Sequence, residues 1–130
     1  MYVLGQMVAA VKPGGLVLDL QVIRPNPLVE VDGELVCEID GEPLFQTADA
    51  ATAAVDALVA RGRLLEQAVD DHEVREHYAD GPDLIDAFAD KRRKLPADAL
   101  QALRALARPC IVRERCRLRL LLICRWACSR

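Results

Sequence analysis

Leu4-Gly5-Gln6-Met7-Val8-Ala9-Ala10-Val11-Lys12-Pro13-Gly14-Gly15-Leu16-Val17-Leu18-Asp19-Leu20-Gln21-Val22-Ile23 carries a helix, a turn and a strand in one short run. Val3, Leu4, Met7, Val8 and Val11 recur at helical spacing and make one apolar face. Lys12-Pro13-Gly14-Gly15 stops the helix, because proline cannot continue it and glycine permits positive φ in a tight turn. Leu16 to Ile23 is almost wholly apolar, broken only by Asp19 and Gln21, which predicts a strand covered on both faces, as in a parallel sheet.

Beyond it, Arg24-Pro25-Asn26-Pro27 predicts a stiff loop. Val31-Asp32-Gly33-Glu34 is echoed by Ile39-Asp40-Gly41-Glu42, and each Asp-Gly is a turn signal, so a small hairpin excursion is expected with Leu35 to Ile39 between the turns. Thr47 to Arg61 reads as a helix capped by Thr47 or Asp49, with Val55, Leu58 and Val59 buried and Gly62 at its C-terminal cap. Arg63 to Tyr78 reads as a long strand. Asp80-Gly81-Pro82 opens a third helix, with Leu84, Ile85 and Phe88 inward, ending in Lys91-Arg92-Arg93-Lys94, where cations suit the helix dipole; a nucleic-acid patch is the alternative for that run. Pro96 starts a fourth helix with Leu100, Leu103 and Leu106 inward. The last strand begins near Cys110, where Arg113, Arg115, Arg117 and Arg119 alternate with other residues at a period of two.

A chain of 130 residues, 52% hydrophobic and 28% charged, fits one folded domain, 1–130, ending in the basic apolar tail 118–130. Aromatics are only 4%, which disfavours a base-stacking surface. The net charge of −3 is unevenly spread: from Arg108 onward seven Arg and one Glu give +6, leaving −9 for the rest. Such a tail can signal nucleic acid or an acidic membrane, but its alternation fits a charged sheet face paired with acids elsewhere in the chain. Five cysteines, an odd number, argue against a disulfide framework and for the reducing cytoplasm. Their spacing does not make a structural zinc site.

The Val11-Lys12-Pro13-Gly14-Gly15 turn leading into Leu16-Val17-Leu18-Asp19-Leu20 resembles the segment before the fifth strand of class I S-adenosylmethionine-dependent methyltransferases. The resemblance implies that Thr47 to Arg61 is the next helix and Arg63 to Tyr78 the sixth strand. Cys110 to Leu120 would be a seventh strand, inserted antiparallel between the fifth and sixth. It covers the C-terminal half of that fold and implies an α/β, partial Rossmann-like mixed sheet with flanking helices. The family's cofactor site lies in the other half, on a Gly-rich turn and an acidic residue for the ribose, and this chain has no G-x-G motif. No cofactor-binding residue is therefore expected in this chain alone; S-adenosylmethionine would bind only if a partner half supplied the site.

Asp70-Asp71-His72-Glu73-Val74-Arg75-Glu76-His77-Tyr78 is the densest polar cluster. On a strand His72, Val74, Glu76 and Tyr78 share one face, and Glu73, Arg75 and His77 the other. A histidine beside carboxylates can act as a base. Metal binding by His72 and His77 would need a bulge, since they point to opposite faces, and the cross-strand alternative pairs Glu73 and Glu76 with Arg113 to Arg119. The resemblance puts Arg24 and Asn26 in a loop where substrate often lies. Arg24, Asn26, His72, Arg75, His77 and Tyr78 are thus the candidate substrate-binding residues; no catalytic residue and no metal site is assigned. Two functions stand: a methyltransferase-like fragment, not catalytic alone, that self-associates or binds a complementary chain through an exposed sheet edge; or a free-standing small binding or oligomerisation domain. Neither nucleic acid nor a membrane is the expected partner.

Overall fold

The computed structural model describes residue 12, residues 14–89 and residues 93–124. The N-terminal helix expected up to Val11, the cations Lys91 and Arg92, and the tail beyond Cys124 lie outside the described residues. The elements are β1 (Leu16–Val31), β2 (Glu34–Glu38), α1 (Glu42–Ala60), β3 (Leu64–Tyr78), α2 (Gly81–Phe88), α3 (Ala97–Arg104) and β4 (Cys110–Ile123). The class is α/β. The strands form one open sheet in the order β2-β1-β4-β3. Its neighbours are antiparallel, so among the described residues no parallel pair of a Rossmann-like sheet forms. The reason is connectivity. A two-residue turn joins β1 to β2, and β4 separates β1 from β3, the two strands that run the same way.

The β1–β2 hairpin follows its turn chemistry. Asp32 (φ 51°) and Gly33 (φ 80°) both take positive φ, the two-residue loop that matches strand twist. Val31 faces Glu34 and Leu28 faces Glu38, with a bulge at Val29/Glu30. The loop expected at Arg24–Pro27 is instead extended chain within β1. Proline's missing N–H is harmless on a strand edge, and the Pro27 carbonyl accepts the Ile39 N–H at 2.9 Å. The second Asp-Gly is not a hairpin turn. Asp40 Oδ1 accepts the Glu42 N–H at 3.0 Å and the Gly41 carbonyl accepts that of Phe45, so α1 starts at Glu42, ahead of the expected Thr47. Gly62 ends α1 with φ 70°, as its position predicts.

The chain divides into two compact units. One comprises the residues up to Gln21, Thr47–Asp71 and the residues from Cys116. Its core is Val17, Val55, Leu64, Leu121 and Ile123, with Leu58 and Val59 packed against them. Here Arg119 is buried and its guanidinium donates to Asp56 (2.8 Å) and Glu66 (2.7 Å), while Arg117 pairs in bidentate fashion with Asp71 (2.7 and 2.9 Å). Leu16, Leu18 and Leu20 are exposed, which corrects the expectation of a strand covered on both faces: α1 supplies one layer, and α2 and α3 belong to the other unit.

The second unit comprises Val22–Gln46 and His72–Arg115. Its core gathers Val29, Val31, Ile39, Leu84, Leu103 and Val112, with Phe88, Ala99 and Cys110. Asp80 caps α2 by accepting the Asp83 N–H at 2.9 Å. The helix ends at Phe88, so Arg93 and Lys94 do not serve its C-terminus as expected; Arg93 is buried, and the Lys94 backbone forms an isolated antiparallel β-bridge with that of Asp40. In α3 the buried residues are Ala99 and Leu103, and Leu100 is only half-buried. Cys37, Cys110 and Cys116 are free thiols. Cys124 is disulfide-bonded, contrary to the expectation from the odd count.

Candidate functional site

The polar chemistry of the second unit is organised by alternation on β3 and β4. On one face Arg113 donates to both Glu30 and Glu73, and Glu73 also accepts from Arg75 at 3.3 Å. The hydrogen bond from Arg113 holds the Glu73 carboxyl below the usual carboxylate range, and the carboxylates raise Arg113 in turn. Beside this cluster is a shallow cavity of about 190 Å³ lined by Pro25, Asn26, Leu28, Glu73, Arg113, Glu114 and Arg115. Pockets for drug-sized ligands run to about 300–1,000 Å³, so this hollow is smaller than such a ligand needs.

On the other face Glu114 and Arg93 form a buried ion pair, and Glu76 lies 3.8 Å from Arg93. The guanidinium also stacks 5.0 Å from the Phe88 ring centre. Tyr78 meets Phe88 edge to face at 6.3 Å and donates its hydroxyl to Glu76 at 2.7 Å. Burial first, then the Glu76 carboxylate, pushes Tyr78 far above its ordinary value. Its hydroxyl is the donor in the bond to Glu76.

The six sequence candidates fall into separate settings. Arg24 forms a bidentate pair with Glu42, both bonds 3.0 Å, and lies 5.1 Å over the Phe45 ring, so it is held as a surface strut. Asn26 Oδ1 accepts the Gly41 N–H at 3.1 Å and borders the small cavity. Arg75 joins that cluster through Glu73. Tyr78 belongs to the opposite face with Glu76. His72 is half-buried and His77 exposed. The sequence reading did not single out Arg93 or Glu114. A cationic run of four looks solvated, and nothing local marks which of its members turns inward.

The Gly14 N–H donates to Ile123 O (2.8 Å) and the Gly15 N–H to Lys12 O (2.8 Å), so neither amide is available to a ligand. Among the described residues no group of three His, Cys, Asp or Glu side chains gathers to hold a metal ion. No helix among them is long and apolar enough to cross a membrane. No family model, curated protein or solved structure matches the chain.

Proposed function

We propose that this chain is a methyltransferase-like assembly piece from the C-terminal side of that architecture, not catalytic alone. What carries the reading is the position of β4: it runs antiparallel between β1 and β3, directly as the Lys12–Gly15 resemblance implies for the last three strands of the family. The Rossmann-like parallel part of the sheet would then come from elsewhere. The place for it is the outer edge of β1, because β2 pairs only with Leu28–Val31 and leaves the edge before it open among the described residues. Through that edge the chain pairs with a second copy or a complementary chain. The complementary half would bring the S-adenosylmethionine site, and the acceptor would be a small molecule, with Arg24 and Asn26 nearest the strand edge in sequence.

Two measurements test this. Calorimetric titration of the isolated chain with S-adenosylhomocysteine gives no heat of binding; micromolar affinity would overturn the division of labour. Amide hydrogen exchange from Leu16 to Ile23 is fast at alternate positions in the isolated chain, as an open edge requires. Uniform slow exchange there would mean the edge is already occupied.

A further inference from the structure

We infer that the sheet face of the first unit opposite α1 is a self-association surface, where a second copy of this chain packs leucine against leucine. The observation is an inversion of polarity. Side chains alternate between faces along a strand. The face that α1 covers holds Val17, Leu121 and Leu64, but also Arg117, the buried Arg119 and Glu66. The opposite face takes Leu16, Leu18 and Leu20 from β1 and Leu118, Leu120 and Leu122 from β4, with Leu65 from β3. None of these is charged. The side already protected from water carries ions, and the side left open carries leucines.

The exposure is large where it matters. Leu16, Leu18 and Leu20 stand 56%, 65% and 57% exposed, and the β4 leucines are half-buried. A monomer seldom leaves so contiguous an apolar patch in water; with its half-buried members this one is on the order of 400 Å², the size of functional patches. Two such faces bury about 800 Å² from leucines alone, so rim contacts must bring the total past the roughly 1,000 Å² that a weak specific interface needs, which fits a dimer that dissociates on dilution.

The face commits to a second copy for two reasons. It is its own chemical complement, since the leucines named carry no charge to repel their like. A two-fold axis lying in the plane between the two faces lays row on row, with the sheets about 10 Å apart as in a sandwich. Pairing at the β1 edge alone would leave the leucines wet, so the edge and the face are separate surfaces and this inference stands without the methyltransferase reading.

Sedimentation of the full chain tests it. The wild type is expected to be a dimer that dissociates on dilution and is indifferent to salt, because apolar burial is not screened. Leu18→Glu and Leu120→Glu are each expected to be monomers with unchanged circular dichroism. A wild type that stays monomeric at all concentrations, a dimer that high salt dissolves, or a dimer that survives both substitutions overturns the proposal. Should the Glu variants fail to fold, Leu18→Thr, which keeps strand propensity, is expected to weaken the dimer about tenfold; an unchanged dissociation constant overturns it equally. Amide exchange at the β1 edge reports separately on the edge reading.

Discussion

Replacing Glu114 by Ala strips the buried Arg93 of its closest counter-charge. Their side chains are 9% and 6% exposed, so neither ion has water to fall back on. Leaving one member of a buried pair alone typically costs about 3–5 kcal/mol. Here the residual environment softens the loss: Glu76 remains at 3.8 Å and the Phe88 ring at 5.0 Å. The expected cost is therefore near the lower end, about 3 kcal/mol. That is a large part of the ~5–15 kcal/mol available to a domain of this size. Urea unfolding followed by circular dichroism measures it. The double variant Arg93→Met with Glu114→Leu removes both charges and fills the space, and should recover most of the loss. A single-variant cost below about 1 kcal/mol would refute the buried pair. So would a double variant as unstable as the sum of the two singles.

Four further outcomes follow from local geometry. A Cβ on Gly81 would sit 1.7 Å from the Leu103 carbonyl oxygen, so Gly81→Ala should lower the thermal midpoint sharply, whereas Asp80→Ala costs only the cap, about 1 kcal/mol. Glu73 is held below its unfolded value by Arg113; its contribution is present above the unfolded carboxylate range and is lost as pH falls through the folded value, so Glu73→Gln should flatten the acid limb of a stability-versus-pH curve. Cys37 and Cys110 are raised by burial, so their contribution holds below the unfolded thiol value and declines as pH rises beyond it. Both should resist alkylation at neutral pH until the chain is unfolded, which mass spectrometry of labelled protein reads directly. Gly33→Ala places a side chain at φ 80° and should cost about 1 kcal/mol without disturbing the first unit's core.

Much of the architecture was readable because local chemistry and tertiary packing agree. Asp32-Gly33 makes its turn, Gly62 closes α1, and Asp80-Gly81-Pro82 opens α2. The misreadings have a shared cause. Asp40-Gly41 has the composition of a hairpin turn, yet Pro43 two residues on suits a helix's first turn, and Asp40 caps the helix instead. Pro25 and Pro27 lack ladder N–H groups, which β1 tolerates here because β2 pairs only with Leu28 to Val31 and leaves that side of the segment before it unpaired among the described residues. Burial on each face was not readable at all. The run Leu16 to Ile23 has the same composition whether one face or both are covered, and only the placement of α1 decides it. The polar site was half legible: alternation gave the faces of His72 to Tyr78, but the partner Arg93 comes from a loop distant in sequence.

The excess of arginine after Arg108 bears most directly on function. A basic segment of +6 set against −9 elsewhere could create a field that draws in nucleic acid or an acidic surface. The geometry spends much of that charge internally. Arg113 holds Glu30 and Glu73, Arg117 holds Asp71, and Arg119 holds Asp56 and Glu66. Arg108 reaches Asp32 across exposed surface at 2.6 Å, a contact worth little in energy but enough to cancel its field. The asymmetry that stands out in the sequence is thus largely a device for zipping β4 to its neighbours. Charge so used leaves the leucine face, rather than these paired arginines, as the feature of β4 on which the proposed self-association rests.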